Sequence, residues 1–290
     1  MAGESATARL ILGTVQLGLA YGINNAGGKP SMSEAFSILK VAEDAGITHL
    51  DTAAAYGNSE AVIGNYIRQN GESRFRIITK LNGKADWQPS LQQSLTHLGV
   101  EKVDVLFFHT YQDYLKNSDH IDNLIKTEKD RSFSRLGVSV YTNEEMEALS
   151  GDDRISVIQA PFNLLDNDYH RSAAFEICKS QGKEIHTRSV FLQGLFFMPV
   201  SRIPARLQPV KPYVMELTGI ANDLGIDVGA LALQYALSKD YIDKVLVGVD
   251  GVAQLQKNLK WTQITVPEKA FQQIDKIEVA DKDLLNPSKW

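Results

Sequence analysis

ITHLDT (47–52) is a short apolar run that ends on an aspartate, with Tyr56 four residues beyond it. The pattern repeats in FRIITK (75–80), which ends on Lys80, and in VDVLFFH (103–109), which ends on His109. Each run suits a strand, each is followed by a stretch of helical periodicity, and each delivers an ionisable side chain at or just past its end. In a closed parallel barrel every strand opens on the same rim at its C-terminal end, so Asp51, Tyr56, Lys80 and His109 are expected to converge there. Working outward, strand-like runs fall near 9–13, 47–52, 75–80, 103–108, 134–139, 155–160, 184–189 and 243–248, with helix-like stretches between them. Several of those stretches begin with Ser or Asn and stop at a glycine, as at Gly46, Gly99 and Gly182, which is capping chemistry. Eight alternating units predict an α/β chain closed as a (β/α)8 TIM barrel, one domain over 1–290 without a linker. YVMELTGIANDLG and VGALALQYALSK before the eighth strand, and EKAFQQIDKI after it, exceed the barrel's count and predict extra helices near the C-terminus.

The chemistry of the four residues follows from their types. A tyrosine hydroxyl has an ordinary pKa near ~10, so at neutral pH it gives up its proton reluctantly unless its phenolate is favoured. A lysine ammonium at ~4 Å, with an effective dielectric of ~20, supplies roughly 4 kcal/mol toward that, less what solvent and desolvation remove. Lys80, buried alone, would lose its own proton, and Asp51 is the partner to keep it charged. A histidine beside them can donate to a substrate oxygen that is gaining negative charge. The set therefore predicts a proton donor next to an oxyanion site, which suits carbonyl reduction with hydride from elsewhere. Each residue alone also has a structural reading: a buried ion pair closing the barrel, a rim tyrosine, a strand-end histidine.

The strings LGTVQLG (12–18), AGITHLDTAAAYGNSEAVIG (45–64), IITK (77–80), DVLFFH (104–109), LGVSVY (136–141), VIQAPFNLLD (157–166), RSVFLQGL (188–195) and VLVGVDGVAQLQKNL (245–259) resemble the aldo-keto reductase superfamily. They stand in family order and spacing, cover nearly the whole chain and suggest a bacterial-type, short-loop member. The resemblance implies roles. Tyr56 would be the general acid, Lys80 would lower its pKa, Asp51 would hold Lys80, and His109 would orient the carbonyl. Cofactor contacts would come from Gly13, Thr14 and Asp51 around the nicotinamide, Ser139 and Gln159 at its carboxamide, Arg188, Ser189 and Phe191 after strand seven, and Gly248, Asp250, Gln254 and Asn258 toward the adenosine. The implied activity is NAD(P)H-dependent reduction of an aldehyde, ketone or sugar-like carbonyl. The alternative is a non-turnover, cofactor-binding sensor or regulatory subunit of the same fold, which has little reason to keep Asp51, Tyr56 and Lys80 together.

Three departures from the family pattern matter. Val140 replaces an asparagine that would add a hydrogen bond to the carboxamide. Arg188 replaces a tyrosine that stacks on the nicotinamide, so a positive charge arrives near the ring or the substrate. GVDGVAQ lacks the usual basic residues for a 2′-phosphate, and Asp250 sets an anion there, so the family's usual NADPH preference is expected to erode toward NADH. Trp87, Thr110, Tyr111, Phe191 and Trp290 are candidates for the substrate pocket, or else rim packing. Loops at 15–32, 110–118 and 195–211 are where specificity is expected to lie. The last of them carries Arg202 and Arg206, which read as loop residues or as contacts to an anion.

With 43% hydrophobic and 22% charged residues and a net charge of −5, the chain reads as an ordinary globular protein. No Lys/Arg block stands out, which argues against nucleic acid or an anionic membrane as partner. The single cysteine, Cys178, excludes an internal disulfide and predicts a core residue. The histidines lack metal-ligand spacing, so no metal is expected. There is no G-x-G-x-x-G after a strand and no G-x-S-x-G, and GGKPS (27–31) reads as a turn before a helix capped by Ser31 or Ser33. MAGESATARL has no signal-like apolar stretch and no later run reaches the ~18 residues of a membrane span, so a reducing cytoplasm is the expected compartment.

Overall fold

The computed structural model describes residues 5–71, 74–83 and 86–290; the first four residues of the N-terminal stretch read above lie outside them. Eight parallel strands close in sequence order into a barrel. They are β1 (Leu10–Gly13), β2 (His49–Asp51), β3 (Arg76–Lys80), β4 (Val103–Phe108), β5 (Phe133–Ser139), β6 (Val157–Pro161), β7 (Glu184–Arg188) and β8 (Lys244–Gly248). β1 closes the ring on β8 with Gly13 opposite Gly248. The helices are α1 (Val15–Gly18), α2 (Met32–Asp44), α3 (Ser59–Asn70), α4 (Trp87–Leu98), α5 (Tyr111–Lys116), α6 (Ile121–Glu128), α7 (Asn143–Ser150), α8 (Asp168–Ser180), α9 (Lys211–Asp223), α10 (Val228–Leu237), α11 (Val252–Trp261) and α12 (Glu268–Ile274).

The helix ends behave as their residues dictate. Ser31 caps α2 by accepting from Glu34 N, and Thr142 with Glu145 forms a reciprocal capping box on α7. Gly46, Gly99 and Gly182 take left-handed φ of 83°, 66° and 74°, a region that costs a residue with Cβ more than glycine. The loops after β1 and β4 hold the short helices α1 and α5, and the segment after β7 is mostly 3-10 helix, local structure that periodicity over long windows does not reveal.

Strand alternation splits the apolar residues in two. Outward side chains form the main core beneath the helices, where Cys178 is buried. Inward side chains Ile11, Ile78, Val105, Phe107 and Val157, with Leu246 against them, plug the barrel. After β8, α12 is tied back to the body: Asn167 Nδ2 donates to Ile274 O at 2.8 Å and Ile277 O at 2.9 Å, and the Tyr235 hydroxyl bonds Asp275.

Candidate active site

Two residues beyond the barrel plug, the same alternation aims the next inward side chain of each strand at the C-terminal rim. Ile11 is followed by Gly13, Ile78 by Lys80, Phe107 by His109, Val157 by Gln159 and Leu246 by Gly248. With Asp51, Ser139 and Arg188, each strand contributes at least one residue, at or one past its end, to the wall of a single cavity of about 640 Å³. Thr14, Ser189, Phe191, Asp250, Gln254 and Asn258 also line it, so every cofactor-binding residue expected from the sequence lies on one surface.

At the floor Lys80 Nζ donates to Asp51 Oδ1 and, at 3.1 Å, to Thr52 O. Gln159 Nε2 donates to Asp51 Oδ2 at 2.8 Å. Both charged side chains are 2% exposed, so the pair is held inside the barrel mouth. Burial pulls the Lys80 pKa down, and the Asp51 carboxylate opposes that.

Tyr56 sits in the β2–α3 turn, which a buried hydroxyl chain fixes: Thr52 Oγ1 donates to Ser59 Oγ at 3.1 Å, and Ser59 Oγ donates to Thr14 O at 2.8 Å. Gly18 lets α1 lie flat on this turn, since a Cβ there would come within 1.8 Å of Tyr56 O. The Tyr56 ring meets His109 edge-on, centroids 5.8 Å apart at 82°, and Lys80 Nζ stands 5.2 Å from its centroid. Burial, reinforced by Asp51, pushes the Tyr56 phenol above its ordinary value, with Arg188 opposing. Lys80, expected to lower this pKa, does not bring the phenol below its ordinary value. Burial and then Lys80 hold His109 down at about 4, so near neutral pH the ring is uncharged and one of its nitrogens carries a proton to donate.

Arg188 reaches across the rim from β7 to the end of β5. Its guanidinium lies 4.2 Å from the Tyr141 ring centroid, and Nη2 donates to Val140 O at 3.0 Å. The segment after β7 is backbone-strained: Ser189, Leu192 and Gln193 all have positive φ (64°, 46° and 53°). Such conformations cost about 1–3 kcal/mol each and cluster at ligand clamps. Gln193 Nε2 donates to the Tyr21 hydroxyl at 2.9 Å, which links this segment to the loop after β1 over the cavity. At the far end Phe191, Phe197 and Trp261 form an aromatic wall, the last two stacked at 6.1 Å. Beside Gly248, Gln16 Oε1 is buried with no hydrogen-bond partner among the described residues.

Several expectations are corrected. Trp87 lies in a different groove, with Leu91, Leu95 and Arg131, because it opens α4 on the outside of the barrel. Thr110 spends its hydroxyl on Asp113 as the cap of α5, and Tyr111 stacks outward on Tyr114. The Trp290 indole donates to Leu284 O at 3.2 Å, while its neighbours Pro287 and Ser288 reach the cavity. Arg202 and Arg206 are exposed and do not line it. Sequence reasoning did not identify Gln16, Tyr21, Tyr141, Gln193 or Trp261 as lining residues. Tyr141 carried a signal, as the second residue past Ser139 in a quoted motif. It also missed Glu34 of α2, whose Oε1 accepts from Val252 N at 3.0 Å and caps α11, a contact spanning 218 positions of sequence.

Comparison with known proteins identifies the family and agrees with the fold. The aldo/keto reductase family model matches residues 9–279, and the chain belongs to that family. Among curated relatives, L-glyceraldehyde 3-phosphate reductase of Escherichia coli (strain K12) is 24% identical, over 95% of this chain and 91% of its own. D-threo-aldose 1-dehydrogenase of a Pseudomonas species is 21% identical over 86% and 90%. An Arabidopsis thaliana protein named "Probable voltage-gated potassium channel subunit beta" is 23% identical over 87% and 88%. The structure of an aldo-keto reductase from Bacillus halodurans in its holo form superposes with a TM-score of 0.74 at 19% identity, covering 94% and 93% of the two chains. Among the described residues no helix is long and apolar enough to cross a membrane.

Proposed function

We propose that this chain reduces an aldehyde or ketone with a reduced nicotinamide cofactor, Tyr56 acting as general acid. The observation that carries the reading is the meeting, on one cavity wall, of a protonated phenol, an uncharged imidazole and a buried ion pair. His109 receives the carbonyl oxygen by donating a hydrogen bond, and Tyr56 delivers its proton to that oxygen as negative charge grows on it. Lys80 lies beside the Tyr56 ring, where its charge favours the phenolate left behind, and Asp51 keeps Lys80 protonated and in place. When bound, the nicotinamide supplies the hydride.

The cavity fits such a cofactor. Gly13 and Gly248 leave bare backbone in its wall, and the unpaired, buried Gln16 Oε1 beside Gly248 offers an acceptor to a ribose hydroxyl or an amide. Ser139 and Gln159 would hold the carboxamide, Thr14 and Ser189 the neighbouring groups, and Asn258, Gln254 and the aromatic wall the adenosine.

We favour the unphosphorylated cofactor. Glu34 already accepts from the Val252 amide at the start of α11, and Asp250, two residues earlier, exchanges hydrogen bonds with Gln254. A helix N-terminus attracts phosphate, but here a carboxylate has taken that place. A channel-subunit role like the one the Arabidopsis relative's name describes does not require Tyr56 and His109 to face a cavity with free hydrogen-bonding capacity. The test is substrate-dependent loss of reduced-cofactor absorbance with NADH and NADPH in parallel, on aldehydes, ketones and aldoses. Turnover abolished by Tyr56→Phe supports the reductase; tight cofactor binding with no turnover on any carbonyl overturns it.

A further inference from the structure

The charges on the cavity wall do not balance at the catalytic end. Lys80 is matched by Asp51, and His109 is uncharged near neutral pH. At the other end Lys257 is paired with Asp227, and Asp250 lies beyond Gly248, on the α11 side. Arg188 is the remaining cation. Among the described residues no carboxylate lies within ion-pair distance of it, and its partners are the neutral Val140 O, at 3.0 Å, and Ser189 Oγ, at 3.4 Å.

The guanidinium is nevertheless placed rather than loose. Tyr141 supports one face at 4.2 Å, and the bond to Val140 O fixes its direction, so most of its five N–H donors remain free. Its charge is felt at Tyr56, Lys80, His109 and Tyr21, which puts it in the same chamber as the proton donor. A rigid, planar, unneutralised guanidinium in such a chamber is a receptor for an oxyanion, because its fork matches two oxygens of a carboxylate or phosphate.

We propose that Arg188 is a specificity-determining residue that binds an anionic group of the substrate, so that the preferred substrates are carbonyl compounds bearing a carboxylate or a phosphate. This rests on the reductase reading above and narrows its substrate class. It also assigns Arg188 to the substrate rather than to stacking on the nicotinamide, the role of the tyrosine it replaces. The anion takes the free N–H groups of Arg188 while the carbonyl oxygen meets Tyr56 and His109.

The test compares matched pairs at saturating cofactor: pyruvate against methyl pyruvate, succinic semialdehyde against butyraldehyde, and glyceraldehyde 3-phosphate against glyceraldehyde. The charged member of at least one pair is expected to have the higher kcat/KM by about 10- to 100-fold, the range of a charge-assisted hydrogen bond. The carboxylate and phosphate arms identify which anion is taken. Arg188→Met collapses that ratio toward one, and Arg188→Lys restores part of it, with the dissociation constant of the reduced cofactor, read by fluorescence, shifting far less. Calorimetric titration of pyruvate and of inorganic phosphate into the cofactor complex of Tyr56→Phe, with and without Arg188→Met, reads the same contact without turnover. Turnover of neutral carbonyls with no charged preference overturns this inference and leaves the reductase standing. Arg188-dependent anion binding with no turnover on any carbonyl does the reverse. Loss of cofactor affinity in Arg188→Met as large as the loss of the ratio returns Arg188 to the cofactor and overturns the inference.

Discussion

The two ends of the barrel interior both carry buried charge, but they use it differently. At the N-terminal end, Arg135 bridges Glu184 and, at 2.7 Å, Asp104. His186 Nε2 lies 2.6 Å from Glu184 Oε1, His49 bonds Thr48 at 2.8 Å, and Lys244 donates to Ala8 O at 3.0 Å. That network is almost closed: among the described residues, His186 Nδ1 is the one buried atom of these groups without a partner. At the C-terminal end the ion pair is as tight, yet among the described residues neither the Tyr56 hydroxyl nor the His109 ring makes a hydrogen bond, and Arg188 has no carboxylate. A satisfied network rigidifies; an unsatisfied one is completed by a ligand. Burial alone does not separate structural charge from functional charge. Leftover hydrogen-bonding capacity does.

The largest effect should come from the open end. Tyr56→Phe removes one hydroxyl that has no protein partner, so kcat/KM is expected to fall by about 10³, inside the usual range for general acid catalysis, while the thermal midpoint moves by about 2 °C or less. Equal losses of activity and stability would erase the distinction between the two ends.

pH tests the same comparison through stability. Burial, then Lys244, holds His49 down at about 4. Burial works against the Glu184 carboxylate, but the His186 hydrogen bond and the Arg135 charge bring it to about 2. Both values lie below those of the unfolded chain, near ~6.5 and ~4.3. Both contributions are therefore complete above pH ~6.5 and are lost as pH falls, that of His49 between ~6.5 and 4 and that of Glu184 between ~4.3 and 2. His109 at the open end follows the course of His49, since its value is also about 4. Unfolding free energies and urea midpoints over a pH series should therefore fall below pH ~6.5, by up to roughly 3 kcal/mol for each of His49 and His109, less what their partial exposure removes. Each of His49→Gln and His109→Gln should flatten part of that slope, whereas midpoints constant down to pH ~4.5 would contradict both assignments. Arg135→Met should cost about 2 kcal/mol, below the 3–5 typical of a fully buried broken pair because the side chain is 28% exposed. The kcat of the folded fraction should stay within about twofold.

The legible part of this molecule follows from one-dimensional periodicity. Strand ends alone pointed to Asp51, Lys80 and His109; Gly13, Ser139, Gln159, Arg188 and Gly248 came from the family resemblance, and the inward alternation of the strands accounts for why they share the rim. What was not legible depends on long-range approach. Glu34 on α2 reaches Val252 on α11 only because the barrel closes β1 on β8. Tyr21 joins the cavity wall through Gln193, 172 positions away. Trp87, Thr110, Tyr111 and Trp290 misled because aromatic or polar residues near a strand end or terminus look alike in sequence whether they turn in, cap a helix or stack outward.

The smallest of the expected effects is also the one that refines the comparison most. The N-terminus of α11 lies at the open end, but its Val252 amide is taken by the Glu34 carboxylate, so it should behave more like the closed network and resist a ligand phosphate. Glu34→Gln removes the anion while keeping an acceptor for the Val252 amide, and Asp250→Asn removes the neighbouring charge. Each relieves a like-charge contact with a 2′-phosphate worth on the order of 1 kcal/mol at an exposed, screened site. The double variant should tighten NADPH about tenfold while NADH affinity changes by about twofold or less, as read by fluorescence titration. Because both carboxylates would face the same phosphate, the two substitutions should give less than the sum of the single effects once the first has relieved part of the field. If NADPH binds the unaltered protein at least as tightly as NADH, the phosphate sits elsewhere, and the capped helix belongs wholly to the structural class.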